Sequence, residues 1–122
     1  MAEKHYLDVI ERSIYVLRLE DGCFYIGQTQ KSSFDRRMKE HFDTTRKLRK
    51  SAWIKLHLAV EIIETEIFTG TYPDGEKLEN AKTIAYVEKY GVSKVRGGFY
   101  CQASHDEVVK CLKAHGYKVR GQ

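Results

Sequence analysis

Tyr15 closes the triplet Ser13-Ile14-Tyr15, Tyr25 opens the triplet Tyr25-Ile26-Gly27, and Arg36, Arg37 and His41 follow soon after. Phenols, guanidinium groups and an imidazole gathered on one patch suit a phosphodiester better than they suit a protein core. To hydrolyse that bond, a water must lose a proton and attack phosphorus. The charge on the phosphoryl and leaving oxygens must also be stabilised. A guanidinium is always charged and forks onto phosphate oxygens. A divalent ion held by one carboxylate meets both charge requirements and acidifies water. A phenol, with an ordinary pKa of about 10, is a useful base only where a neighbouring cation lowers it.

Local pattern says which elements position these groups. Residues 13–19 and 23–29 are apolar and β-prone, and Glu20-Asp21-Gly22 between them is an acidic turn ending in Gly. Two such runs with a short Gly-containing connection predict a β-hairpin, which places Tyr15 and Tyr25 on adjacent strands. Ser32 or Ser33 is the expected N-cap of a helix reaching about residue 44. Phe34, Met38 and Phe42 recur every four residues and give that helix an apolar stripe. Arg37 and His41, also four apart, share a neighbouring face. Residues 51–57 read as a short helix in which Trp53 is a core anchor rather than a base-stacking platform, and residues 59–65 as a third strand. Residues 69–75 (TGTYPDG) read as a loop, followed by a helix from about Gly75 to Tyr90 with Leu78, Ala81, Ile84 and Ala85 inward. Gly91 stops that helix. Residues 95–100 read as irregular. A final helix starts at Ser104, with Val108, Val109 and Leu112 inward. Residues 3–12 form either a leading helix or an extended arm.

These elements resemble the GIY-YIG nuclease superfamily. The first triplet here is SIY rather than GIY, the second is an unaltered YIG, and nine residues separate Tyr15 from Tyr25. Arg37-Met38-Lys39-Glu40-His41 is similar to the family's Arg-x-x-x-His element, and Leu78-Glu79-Asn80 resembles its helix-opening metal-binding Glu. The likeness runs over roughly residues 13–100. It implies an α+β fold, a three-stranded antiparallel sheet flanked by helices, here with an extra C-terminal helix, in one domain spanning residues 1–122. It implies a metal-dependent endonuclease that cuts DNA, with RNA not excluded, and leaves a 5′-phosphate and a 3′-hydroxyl. The alternative is a nucleic-acid-binding module on the same fold whose catalysis is lost or depends on a partner.

The resemblance makes Glu79 the carboxylate for one Mg²⁺ or Mn²⁺, with Glu76 its local competitor. One carboxylate leaves most of the coordination to water and phosphate oxygens, which suits these ions. Arg37 is the clamp on the scissile phosphate, with Arg36 its register rival. Tyr15 is a general base or orients the water, and Tyr25 positions nucleophile or phosphate. His41 takes a proton, bonds a phosphate or orients Tyr15. The family's C-terminal Asn has no evident counterpart here, because residues 94–100 (KVRGGFY) occupy that place. Arg96 in that segment is a structural or phosphate contact.

Composition is ordinary for a soluble globular protein, and the distribution of charge says more than its total. Net charge is only +4, but residues 31–55 carry nine Lys or Arg against Asp35, Glu40 and Asp43. The densest part, Arg46-Lys47-Leu48-Arg49-Lys50, follows the candidate site directly. Arg36, Lys47, Arg49 and Lys50 are therefore expected nucleic-acid contacts, and Arg96 joins them only through the resemblance of residues 95–98 (VRGG) to an ending in some members of the superfamily. Cys23, Cys101 and Cys111 are odd in number and lack a Cys-x-x-Cys pair, which speaks for reduced thiols and against a zinc knuckle. No apolar run reaches a membrane span, and the charged N-terminus has no signal core. An intracellular protein without membrane contact follows as the expectation. The lack of a separate DNA-reading domain predicts structure-selective, weakly sequence-specific or single-strand cutting, or specificity supplied by a protein partner; a double-strand cut would need a homodimer or two sequential events.

Overall fold

The computed structural model describes residues 5–43 and 52–119. Strands β1 (Ile10–Leu19) and β2 (Phe24–Gln30) form the expected hairpin, with Tyr15 opposite Gly27 and Leu17 opposite Tyr25. In the turn between them Asp21 and Gly22 both take positive φ, 62° and 70°. That backbone suits an Asp-Gly pair. Helix α1 (Phe34–Phe42) and the short helix α2 (Ala52–Leu56) precede β3 (Ala59–Gly70), and helix α3 (Tyr72–Tyr90), strand β4 (Val95–Gly97) and helix α4 (His105–Ala114) complete the order. The fold is of the α+β type.

The sheet has four strands in the order β3-β1-β2-β4. The sequence reading implied three antiparallel strands. The fourth is the three-residue β4, parallel to β2, with Tyr25 beside Arg96 and Ile26 beside Gly97. A three-residue strand is too short to show alternation, so its pairing was invisible in the pattern. Central β1 is buried on both faces. On one, Tyr15, Leu17 and Leu19 meet Met38, Trp53 and Ile54; on the other, Ile14 and Val16 join Phe24, Ile26 and Val95. A third cluster joins Val92 and Tyr100 to Val108, Val109 and Leu112 of α4, as the final helix's pattern required.

Other boundaries differ from the sequence reading. Residues 69–75 are not a loop. Strand β3 runs to Gly70, Thr71 alone connects, and α3 starts at Tyr72. Thr71 accepts from the Asp74 N–H while the Asp74 carboxylate accepts from the Thr71 N–H, a capping box. Pro73 stands in the first turn, where no N–H is missed. The inward stripe of α3 is also different: Gly75, Glu79 and Thr83 are buried, whereas Leu78 is 37% exposed. The small residues let α3 approach closely. A Cβ at Gly75 would lie 2.7 Å from the Gln28 Nε2, and one at Gly97 would lie 2.6 Å from the Thr83 Oγ1. Helix α1 begins at Phe34 after a 3-10 turn, and the Ser33 hydroxyl makes no capping bond.

Two buried arginines organise the rest. Arg12 donates to the carbonyls of Gly70, His5 and Asp8 and so ties the N-terminal segment to the end of β3. Residues 5–7 there form a turn, and Tyr6 stacks on Tyr72. Arg96 is 1% exposed, donates to the carbonyls of Val92, Val95 and Gln102, and lies 4.3 Å above the Trp53 ring. Arg96 is thus a structural residue, which corrects its place among the expected nucleic-acid contacts. Trp53 is 4% exposed and donates from Nε1 to the Phe24 carbonyl, the core anchor foreseen. Among the described residues no helix is long and apolar enough to cross a membrane.

Arg96→Ala would leave three carbonyls without their donor and remove a cation from the Trp53 face. Urea denaturation is expected to show a loss of about 2–4 kcal/mol. Unchanged stability together with a salt slope of DNA binding reduced by about one would restore Arg96 as a phosphate contact.

Candidate active site

Tyr15 stands at the centre of the site because Gly27 faces it across the hairpin. A Cβ at position 27 would lie 2.5 Å from Tyr15 Cε2 and closer still to its Cζ and hydroxyl. The ring fills that space, and its hydroxyl meets His41 Nε2 at 2.7 Å. Side chains alternate across a strand, so Tyr25, two residues before Gly27, faces the same way. Its ring centre is 6.4 Å from that of Tyr15 and 5.7 Å from that of His41. The apolar stripe of α1, with Met38 buried and Phe34 and Phe42 packed on the same cluster, holds His41 in place.

Arg37 precedes His41 by one helical turn. Its guanidinium pairs with Glu40 at 3.3 Å and lies close enough to the Tyr15 hydroxyl to favour the phenolate. Arg36 points away, its side chain 70% exposed and bonded to the Ser33 Oγ at 3.4 Å. Between the two register rivals, Arg37 is the one at the phenols. Arg36 remains an exposed cation on α1, and Lys47, Arg49 and Lys50 lie outside the described residues.

Glu79 reaches the same patch from α3. The triplet Leu78-Glu79-Asn80 does not open that helix but lies about two turns inside it. Glu79 is 6% exposed. Its carboxylate has no hydrogen-bond or ion-pair partner among the described residues. Burial, with the neighbouring Glu76 charge, raises its pKa from 4.5 to about 8. Its charge acts in turn on both Tyr15 and Tyr25. Burial holds each phenol well above its ordinary pKa, and Arg37 offsets this only in part. Tyr15 as a free phenolate base is therefore disfavoured; a neutral phenol bonded to His41 is what the surroundings support.

The five residues singled out from the sequence, Tyr15, Tyr25, Arg37, His41 and Glu79, thus converge from β1, β2, α1 and α3. Three supporting residues escaped that reading. Gln28 wedges against Gly75, and the Thr83 hydroxyl donates to the Glu79 carbonyl at 2.7 Å. Asn80 accepts from the Phe99 N–H at 2.9 Å. Only the Asn beside Glu79 carried any signal. Cys101 stands near the same patch, where its thiol interacts electrostatically with Glu79 and Tyr25, and partial desolvation raises its pKa.

No group of three or more His, Cys, Asp or Glu able to hold a metal occurs among the described residues. A Mg²⁺ or Mn²⁺ here would take one protein ligand, Glu79. A buried carboxylate that lacks a cation fits that role, and the remaining oxygen ligands would come from water and phosphate. Compared with protein-family models, curated proteins and solved structures, the chain matches none.

The raised pKa of Glu79 has a consequence for stability. The folded state holds the proton more tightly than the unfolded state. The Glu79 contribution to stability is therefore fully present below about pH 4.5 and is lost as pH rises through about 8. Glu79→Gln removes this dependence. In metal-free buffer the variant's advantage over wild type is expected to grow by on the order of 3 kcal/mol between pH 5 and pH 8, read by urea denaturation. A constant difference would mean that the carboxylate is hydrated.

Proposed function

We propose that the protein is a metal-dependent endonuclease that hydrolyses a phosphodiester in DNA at the patch formed by Tyr15, Tyr25, Arg37, His41 and Glu79. One observation carries the reading. An unpartnered carboxylate is buried beside two phenols that an arginine in turn faces, an arrangement that costs the fold stability and that a cation and a phosphate would complete.

Each residue has a role in this reading. Glu79 holds the divalent ion, which when bound supplies charge stabilisation to the phosphoryl and leaving oxygens and acidifies water. Arg37, half-buried and already oriented, forks onto the non-bridging oxygens of the scissile phosphate and meets charge as it develops. Tyr15 donates its phenolic proton to His41 Nε2 and turns its lone pairs to the attacking water. As the water oxygen bonds to phosphorus, its proton passes to the Tyr15 oxygen and the phenol's own proton passes to His41. No free phenolate forms, which agrees with the burial that disfavours one. Tyr25, partly exposed at the mouth of the site, positions the phosphate or the water. The P–O3′ bond breaks, the leaving O3′ takes a proton from solvent to become the 3′-hydroxyl, the phosphate stays on the 5′ side as a 5′-phosphate, and His41 returns its proton to solvent. Arg36 and the basic run at residues 46–50 supply sequence-independent phosphate contacts.

A cleavage assay with Mg²⁺ or Mn²⁺ on single-stranded, duplex and branched DNA, and on RNA, tests the reading. Glu79→Gln is expected to abolish cutting while retaining or raising stability. Arg37→Ala is expected to lower kcat by about 10²–10³-fold and Arg36→Ala by far less. Cutting that survives Glu79→Gln, or that Arg36→Ala and Arg37→Ala reduce equally, would contradict the assignment. Salt-sensitive DNA binding with no cutting of any substrate would favour a binding module.

A further inference from the structure

We infer that the Phe99 ring is a stacking platform for an unpaired base of the DNA held at Glu79, so that the preferred substrate is single-stranded or carries unpaired nucleotides at the cut. The inference rests on the nuclease reading only for what is bound at Glu79. Phe99 is 48% exposed and lies outside the apolar cluster that seats α4, which is built from Val92, Tyr100, Val108, Val109 and Leu112. The fold does not need this ring for its core.

The turn that carries the ring is nevertheless held at its backbone. Gly97 and Tyr100 exchange both backbone hydrogen bonds, at 2.9 and 2.8 Å, which leaves Gly98 and Phe99 as the two central residues of a tight turn. Gly98 takes φ +53°, and the Asn80 carboxamide fills the space that a side chain there would need. The Phe99 N–H donates to that same Asn80 Oδ1, and the Phe99 carbonyl accepts from Gln102 Nε2 at 3.2 Å and from Cys111 Sγ at 3.7 Å. The His115 ring supports Phe99 edge-on, with centres 6.0 Å apart.

The turn is also tied to the site. Asn80, its anchor, follows Glu79 in α3. Cys101, two residues beyond Phe99, interacts with both Glu79 and Tyr25. A flat, half-exposed apolar ring on a turn anchored to the residue after Glu79 matches a nucleobase. In a duplex both faces of a base are already stacked, so only an unpaired base can use it. Every base has a π-face, and the contact is expected to be tolerant of sequence.

The test uses the non-cutting Glu79→Gln protein at one fixed salt concentration, with short oligonucleotides in which 2-aminopurine is moved position by position. Stacking quenches this fluorophore. Quenching at one position is expected with Phe99 or Phe99→Trp and not with Phe99→Ala. Phe99→Ala is expected to weaken single-strand binding roughly 5- to 100-fold and to leave duplex binding unchanged. Unchanged quenching and affinity in Phe99→Ala would overturn the inference, as would an equal loss on single-strand and duplex DNA. Phe99→Trp separates loss of the platform from damage to the turn. Cleavage by the wild type is scored separately. Phe99-dependent quenching without cutting would leave stacking intact and remove the nuclease reading, and cutting without it would do the reverse.

Discussion

The Tyr15 ring occupies the space where residue 27 has no side chain, and the site depends on that one substitution of ring for side chain. The arrangement fits only one register of the hairpin, because a one-residue slip would turn Tyr15 to the opposite face. It carries the hydroxyl to His41 Nε2 and so joins β1 to α1. The stripe of Phe34, Met38 and Phe42 completes that joint from the apolar side. Tyr25 and Arg37 follow without further devices, one by strand alternation and one by helical turn. A methyl at position 27 would push on a ring buried on every side, where cores give way least.

The second constraint is the unusual inner face of α3. A helix that packs through Gly75, Glu79 and Thr83 buries little apolar surface, and its gain is proximity. Gly75 admits Gln28, Thr83 sits against Gly97, and Glu79 is brought in between them. The fold thus carries a carboxylate with no partner in the place where hydrophobic packing would have been more stable. Stability given up at one polar position is the usual mark of a site, and consistent local rules elsewhere compensate. The capping box at Thr71 and Asp74 and the close fit of Arg12 and Arg96 are such compensations.

The sequence made some of this legible and hid the rest, for physical reasons. The hairpin, the α1 stripe, the Trp53 anchor and the α4 face could be read because each buries side chains at a regular period. Tyr15, Tyr25, Arg37 and His41 stood out by type and spacing and Glu79 only through the family resemblance, and the structure brings the five toward one patch. Strand β4 could not be read, because its pairing is a backbone contact three residues long that depends on glycine. The start of α3 was missed because Pro73 and Gly75 look like a loop, although Thr71 and Asp74 cap a helix. Its inner face was missed because small and polar residues do the packing while Leu78 faces outward. The roles of Arg12 and Arg96 were not legible, because their guanidinium groups serve backbone carbonyls that only the folded chain brings together. Of the expected basic contacts, Arg96, suggested by the resemblance, is structural, and Arg36, suggested by charge, stays exposed.

The central claim is that Glu79 and Arg37 together form one cation-and-phosphate site. Anomalous diffraction from crystals grown with Mn²⁺ and a non-cleavable phosphorothioate oligonucleotide tests it most directly. The account expects a manganese peak at the Glu79 carboxylate, with a backbone phosphate shared between that ion and the Arg37 guanidinium. Manganese bound elsewhere, or a phosphate seated away from Arg37 with Glu79 still buried and bare, would contradict it.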